Sequence, residues 1–388
     1  VVFVTHSYPR FSGDAAGSFL LALAQALAAH DVHVEVLAPA ARGLAPYEVL
    51  EGIPVHRFRY APSAWETLAY TGTMAETVAG SLTGKLALGG YLLGQGRALR
   101  RLVGRFNADL VHAHWWFPAG LVASAPRRRG GRPLVITMHG SDVRLAAGRG
   151  WAHGQFQRVL RSAAGVTVVS SWLARQALEI AAHINPAVIP MPVNTQLFKL
   201  APSTQRARDE ILFVGRLNEQ KGLRFLLAAL ARMSQTVRLA VVGEGRDESA
   251  LRAQAASLGI TERVTWHGQL PRESLVGMYQ RAAAVAIPSL DEGLGLVAVE
   301  AQLCGTPVVA FASGGIVDLI TDGKSGLLVP PGDEAALAAA LDRVVTDLDL
   351  NRALSSEGRI SALMKFSPDA VGAEYARFYR TILSHAAA

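Results

Sequence analysis

Short apolar runs alternate with segments of helical periodicity from one end of the chain to the other. In the first half the runs fall at 1–5, 32–37, 53–58, 109–112, 133–138 and 165–170. Val, Ile and Leu dominate several of them, as in strands buried on both faces of a parallel sheet. Helical patterns lie between, for example at 17–29, 117–126 and 171–182. Pro186, Pro190 and Pro192 then precede the polar stretch KLAPSTQRARDE, which predicts a linker over 185–210. The alternation restarts with strands at 211–215, 237–242, 263–267, 284–287, 307–310 and 326–329. Helices are expected at 221–233, 247–257, 272–281, 295–303, 334–346, 351–363 and 368–385. Two successive βαβ series predict an α/β chain of two Rossmann-like, doubly wound domains facing each other across a cleft.

Composition narrows the class. The chain has 388 residues, 50% of them hydrophobic and 18% charged, enough for two or three domains with sizeable cores and too apolar for wholesale disorder. A single cysteine, Cys304, excludes an internal disulfide framework and fits a reducing compartment. The opening VVFVTHSYPR reads as a strand and loop rather than a signal peptide. The uncharged runs 110–126 and 301–317 are broken by Pro and Gly and make poor spanning helices. A cytoplasmic protein is expected. The net charge of +7 is lopsided: residues 1–195 hold 18 Lys and Arg against 10 Asp and Glu, and residues 196–388 hold 20 against 21. A basic module joined to a neutral one suggests different partners for the two.

The chemistry concentrates in PSLDEGLGLVAVEAQLCGTPVVA, 288–310. Glu292 and Glu300 stand eight residues apart, with Gly293 and Gly295 between them. A helix beginning near Gly295 would aim the backbone N–H groups of Gly293, Leu294, Gly295 and Leu296 into the loop, a site for a phosphate or diphosphate. Glu300 falls inside a mostly apolar helix, where an unpaired carboxylate is costly, so a ligand with vicinal hydroxyls is the better account of it than a solvated surface. In ILFVGRLNEQKGLRF a strand ends at Gly215, Arg216 follows, and Lys221 is expected to open the next helix. Two cations at the carboxyl end of a strand form a second anion site.

Together these stretches resemble the retaining GT-B glycosyltransferases of family 4, over essentially the whole chain. The resemblance implies a nucleotide-diphosphate sugar donor, UDP- or GDP-linked, and transfer of a hexose to an acceptor hydroxyl, either a sugar or a lipid, with no cofactor and no metal. It implies Arg216 and Lys221 on the diphosphate, Glu292 by the transferred sugar and Glu300 on the ribose hydroxyls. WHGQL, 266–270, would border the nucleobase through backbone groups, Gly268 and Gln269 among them. TMHGSD, 137–142, matches the family's His-Gly-x-Asp pattern, placing His139 near the donor sugar and Asp142 in loop ordering or acceptor binding. In SGDAAGSF, Gly13 and Gly17 resemble the Gly-rich loop that faces diphosphate and acceptor. The family organisation implies an acceptor domain over 1–190, a donor domain over 191–367 and a helix over 368–388 that returns to the first domain. It also implies closure around the donor, with 185–210 as a hinge.

Other signals carry less. Gly243 and Gly245 in VVGEGRDE lack the third glycine of a dinucleotide fingerprint, which disfavours an oxidoreductase. His112 and His114 in HAHWWF have no acidic or thiol neighbours, which favours acceptor-site or packing roles over a metal. Asp347 and Asp349 form a DxD, read as a solvated face, as is the Arg127–Arg128–Arg129 run. No nucleic-acid-binding module is present. The rival functions are another GT-B activity, such as a sugar-nucleotide epimerase, and a nucleotide-sugar-binding sensor or scaffold. Residues 61–106 interrupt the βαβ alternation without a convincing strand, and end in Leu99, Leu102, Val103 and Phe106 on one face of a helix, with Arg97, Arg100, Arg101 and Arg105 on another. This segment suits a peripheral contact with an anionic membrane or a lipid-linked acceptor. The plain alternative is that the apolar face covers the sheet.

Overall fold

The computed structural model describes residues 1–70, 74–148, 150–201, 207, 209–234 and 236–387. The chain forms two compact units, Val1–Pro192 with Pro368–Ala388, and Val193–Ser367.

The first unit is built on an eight-stranded sheet. Its strands are β1 (Val2–Val4), β2 (Glu35–Pro39), β3 (Tyr47–Leu50), β4 (Ile53–Phe58), β5 (Val111–His114), β6 (Leu134–Met138), β7 (Gly165–Val168) and β8 (Ala187–Val188). Their order is β3-β4-β2-β1-β5-β6-β7-β8, and β3 alone runs antiparallel, against β4. Every residue of β1, β2, β5 and β6 is buried, as expected of strands covered on both faces. Strand order reverses between β1 and β5, so the loops leaving those strands open a crevice at their carboxyl ends.

Several expectations are corrected here. β3 carries only a weak alternation, because Tyr47 and Val49 sit exposed on an edge. Its hairpin turns at Glu51 and Gly52, both with positive φ. β8 lies within the stretch expected to be linker, and part of that stretch, 202–206 and 208, lies outside the described residues. The helix expected at 117–126 is a wide turn, Trp116–Gly120, and one short turn, Leu121–Ala123.

The later part of the segment 61–106 is also a regular part of the fold, and 71–73 lie outside the described residues. The helix Leu82–Phe106 is the crossover from β4 to β5, and it packs on β1, β2 and β4. Leu99, Leu102 and Val103 are buried on that face, so the apolar face covers the sheet. Gly90 and Gly94 let the backbone of Arg59 and Tyr60 run against the helix; a Cβ at Gly94 would lie 2.5 Å from the Arg59 carbonyl oxygen. What stays exposed is a different stripe, Leu82, Leu86 and Leu93, 73, 67 and 53% accessible. Arg97, Arg100, Arg101 and Arg105 are exposed farther along the same helix. Arg129, by contrast, is engaged by the carbonyls of Ala123, Ser124 and Arg132.

The helix Pro368–Ala387 belongs to the first unit and packs along the helix Ser18–Ala28. It sends two hydroxyls into the sheet: Tyr379 pairs with His112 Nδ1 at 2.6 Å, and Tyr375 lies 3.4 Å from the hydroxyls of Thr137 and Thr167.

The second unit holds six parallel strands: β9 (Glu210–Val214), β10 (Arg238–Val242), β11 (Val264–Trp266), β12 (Ala284–Ile287), β13 (Val308–Phe311) and β14 (Leu327–Val329). Their order is β11-β10-β9-β12-β13-β14, with the reversal between β9 and β12. Helices Leu223–Arg232, Glu248–Ser257, Arg272–Arg281, Leu296–Leu303, Glu334–Thr346 and Leu348–Phe366, with the short turn of helix Ile316–Leu319, pack with them. Asp347 of the DxD is a helix cap, accepting from the N–H groups of Asp349 and Leu350. Gly243 and Gly245 let the loop after β10 lie against the carbonyls of Gly215 and Leu217. Among the described residues, no helix is long and apolar enough to cross a membrane.

Candidate functional site

In the second unit the structure brings Lys221 and Glu292 together at the switch point between β9 and β12. Gly215 and Arg216 leave β9, and Arg216 is exposed. Lys221 does not open a helix. It ends a tight turn, Glu219–Lys221, where Asn218 Oδ1 accepts from the Lys221 N–H, and the helix starts at Leu223 beyond Gly222. Gly222 takes φ 66°, and a Cβ there would collide with the Pro288 carbonyl. The loops after β9 and β12 are thereby knitted together. Leu290 N–H donates to the Gln220 carbonyl at 2.9 Å, and Gln220 Nε2 to the Asp291 carbonyl at 2.5 Å. Across this seam Lys221 Nζ donates to Glu292 Oε2 at 2.6 Å, with the two side chains only 17 and 14% exposed.

Gly293 and Leu294 follow Glu292, and Gly295, at φ 91°, is the cap of the helix Leu296–Leu303. Gly295 has no side chain to cap the helix; the Ala298 N–H turns back to the Gly295 carbonyl at 2.9 Å, and the N–H groups of Leu296 and Val297 lie at the positive end of the helix, which favours an anion. Gly268 and Gln269 follow β11; the Gly268 carbonyl accepts from Gly243 N–H at 2.8 Å, and Gln269 N–H reaches Glu244 Oε1 at 3.4 Å. Glu300 lies one turn into its helix, 8% exposed. Its Oε1 accepts from Arg272 Nη2 at 3.0 Å and its Oε2 from the Tyr279 hydroxyl at 2.9 Å. Burial pushes the Glu300 carboxyl up, and Arg272 and Tyr279 act against that.

In the first unit His114 ends β5 and His139 follows β6, with His114 Nδ1 and His139 Nε2 3.3 Å apart. Asp142 orders the His139 loop: Oδ1 accepts from the N–H groups of His139 and Gly140 at 3.1 and 3.0 Å, and Oδ2 from that of Trp116 at 3.3 Å. Burial raises the Asp142 carboxyl, while these N–H groups favour its charge. Between His114 and the turn stands Trp115, with φ 67° and ψ 136°, an uncommon conformation for a bulky residue. Its ring lies 4.2 Å from that of His6 and 4.4 Å from that of His139. Burial pushes His139 down to about 3 and His6 to about 4, and depresses His112 and His114 strongly. All four imidazoles are neutral at pH 7. Gly17, at φ 67°, caps the helix Ser18–Ala28 and touches the Ser7 backbone, and Gly13 is exposed earlier in the loop. Arg10 and Asp14 brace that loop at 2.7 Å. His112 packs internally, its Nε2 2.6 Å from the Thr137 hydroxyl.

Sequence reasoning missed Arg272, Tyr279, Trp115 and His6. Arg272 and Tyr279 stand seven residues apart, two turns along one helix face, and that spacing is the only local sign of a shared partner. Among the described residues no three His, Cys, Asp or Glu side chains gather as metal ligands.

Two parallel α/β units, each with polar groups at the carboxyl ends of its strands where their order reverses, define a GT-B glycosyltransferase architecture. The family profile "Glycosyl transferases group 1" matches residues 200–361, and "Glycosyltransferase Family 4" matches residues 16–197. The chain is 32% identical over 419 residues to the D-inositol 3-phosphate glycosyltransferase of Frankia alni, covering 97% of each. It is 35% identical over 291 residues to that of Acidothermus cellulolyticus, covering 67% of this chain and 64% of that one. The chain therefore belongs to glycosyltransferase family 4. Among solved structures, the sucrose-phosphate synthase of Thermosynechococcus elongatus superposes with a TM-score of 0.82 at 23% identity, over 99% of each chain. Anabaena HepE in complex with UDP-glucose superposes with a TM-score of 0.74 at 21% identity, over 98% of this chain and 99% of that one.

Proposed function

We propose that the chain transfers a hexose from a UDP- or GDP-sugar to an acceptor hydroxyl, with retention of anomeric configuration and without a divalent metal. The observation that carries the reading is the Lys221–Glu292 pair at the reversal between β9 and β12, in the loop that leads to the Gly295 helix start, with the exposed Arg216 on the loop that leaves β9. The acceptor oxygen attacks C1 on the face from which the diphosphate departs. The C1–O bond breaks, and a diphosphate oxygen takes the acceptor's proton. Arg216, Lys221 and the N–H groups around Gly295 stabilise the charge that grows on the leaving group. Glu292, held by Lys221, borders the sugar, and Glu300 accepts from the ribose hydroxyls. The backbone at Gly268 and Gln269 borders the base. In the first unit, neutral His139 is a hydrogen-bonding group for a sugar hydroxyl, and the Gly13–Gly17 loop, His114 and Asp142 shape the acceptor side. The UDP-glucose complex of HepE supports a UDP-linked donor.

The test is a screen of nucleotide sugars for hydrolysis and transfer, followed by Arg216→Ala and Lys221→Ala with the donor found. Each change lowers turnover on the order of 10²-fold with a smaller effect on donor affinity, because the charge they meet develops in the transition state. Near-wild-type turnover in both variants overturns the proposal. So does activity abolished by excess EDTA and restored by magnesium or manganese, as far as the metal is concerned.

We infer an acceptor at an anionic membrane, with the protein as a peripheral visitor. Support comes from the exposed Leu82, Leu86 and Leu93, followed on the same helix by the exposed Arg97, Arg100, Arg101 and Arg105. Vesicles rich in anionic lipid sediment the protein at low salt, and changing the three leucines to Ser or the four arginines to Gln releases it. Indifference to vesicles leaves a soluble acceptor.

A further inference from the structure

The donors that hold Glu300 come from one helix and are themselves fixed. The Arg272 guanidinium lies 5.2 Å over the ring of Phe198, which also meets the Tyr279 ring edge-on at 6.0 Å. Phe198 and Tyr279 are fully buried, and the Tyr279 carbonyl accepts from the Thr306 hydroxyl at 2.5 Å. The carboxylate thus receives one donor on each oxygen, which stops its rotation and leaves acceptor capacity on both. Two adjacent oxygens of one fixed carboxylate match two vicinal hydroxyls. Arg272 also begins its helix directly after the 266–270 loop, so one residue joins that loop to Glu300.

We propose that Arg272 is a positioning residue for nucleoside recognition, whose guanidinium fixes the Glu300 carboxylate so that each oxygen accepts from one of two vicinal ribose hydroxyls. This rests on the reading of Glu300 as the ribose-binding group. Charge supports the geometry. Burial favours the protonated carboxyl, and the titratable groups facing Glu300 are Arg272 and Tyr279, with Cys304 beyond the tyrosine. Removing the cation takes away the largest effect that opposes desolvation and raises the Glu300 carboxyl further, with only the Tyr279 hydrogen bond left against it. A protonated carboxyl gives up acceptor capacity that the hydroxyls need. Tyr279 supplies a second hydrogen bond and no positive charge, so its loss shifts Glu300 less.

The test measures calorimetric affinities of the full chain for UDP and GDP, each against its 3′-deoxy analogue, between pH 6 and 8.5. The ratio within a pair cancels the titration of the phosphates. Wild type prefers the ribonucleotide by about tenfold or more throughout, as for a hydrogen bond to a charged group. Arg272→Met loses the preference below neutral pH and regains part of it at pH 8.5. Arg272→Lys restores most of it, and Tyr279→Phe weakens it evenly across the range. A wild-type ratio in Arg272→Met at every pH overturns the inference. So does an even loss that neither high pH nor lysine repairs, which marks a role in folding alone. Wild type that binds UDP or GDP without distinguishing the deoxy analogue overturns instead the assignment of Glu300 to ribose, and wild type that binds neither overturns the donor reading.

Discussion

Four neutral imidazoles lie in the first unit, His6, His112, His114 and His139, and this has a consequence for stability. Each has its folded value pushed below the ordinary 6.5, so the unfolded chain takes up protons first as pH falls. Their contribution is fully present above about pH 6.5 and is lost as pH drops towards the folded values, at up to about 1.4 kcal/mol per unit for each group. Thermal melts are expected to show Tm falling steeply between pH 7 and 5, and His112→Gln, which keeps polar partners for Tyr379 and Thr137, to flatten that slope. A melt independent of pH over this range contradicts the burial of these rings as neutral groups. The same rings separate what could be read in the sequence from what could not. Glu292, Glu300, Arg216 and Lys221 stand in local patterns of strand end, glycine and charge, and could be singled out from those patterns. Trp115, Arg272 and Tyr279 were not, because what singles them out is a backbone angle or a partner more than 20 residues away.

At the scale of elements, strands covered on both faces were legible to within a few residues, because nothing but continuous apolar character specifies them. The edge strands β3 and β8 escaped, one too exposed and the other flanked by prolines. The helix Leu82–Phe106 was taken for an insertion because its glycines dilute the periodicity. They are needed where the chain at Arg59 and Tyr60 crosses it. Gly94→Val is therefore expected to destabilise the protein by about 2 kcal/mol or more through overpacking, read as a lower denaturant midpoint at unchanged slope. Gly222 is the corresponding point in the second unit. Gly222→Ala meets both a positive φ and the Pro288 carbonyl, so it separates the loops that bring Lys221 to Glu292. It is expected to weaken UDP binding and turnover together, whereas Gly259→Ala, at positive φ with open space around it, costs stability without touching either.

At the scale of the whole molecule the two units differ in how the chain completes them. The second is a continuous stretch, Val193–Ser367, with its own buried cluster running from Ile211 to Leu354. The first needs Pro368–Ala388 from the far end of the sequence. That helix covers the helix Ser18–Ala28, fills the space above Gly165 with Phe378 and Ile382, and supplies the hydroxyl that satisfies His112. Removing it exposes apolar surface and leaves a buried imidazole nitrogen without its partner, a cost of about 1–3 kcal/mol for that group before any lost packing. Residues 193–367 expressed alone are expected to unfold cooperatively and to bind UDP or GDP with the Lys221 and Glu300 dependence of the full chain. Residues 1–192 alone are expected to be insoluble or molten, and to gain cooperative unfolding when 368–388 is joined behind them through a flexible linker. A well-folded 1–192 fragment contradicts the assignment of the terminal helix to the first unit's core, and a donor fragment that folds but ignores both nucleotides contradicts the placement of the donor site within the second unit.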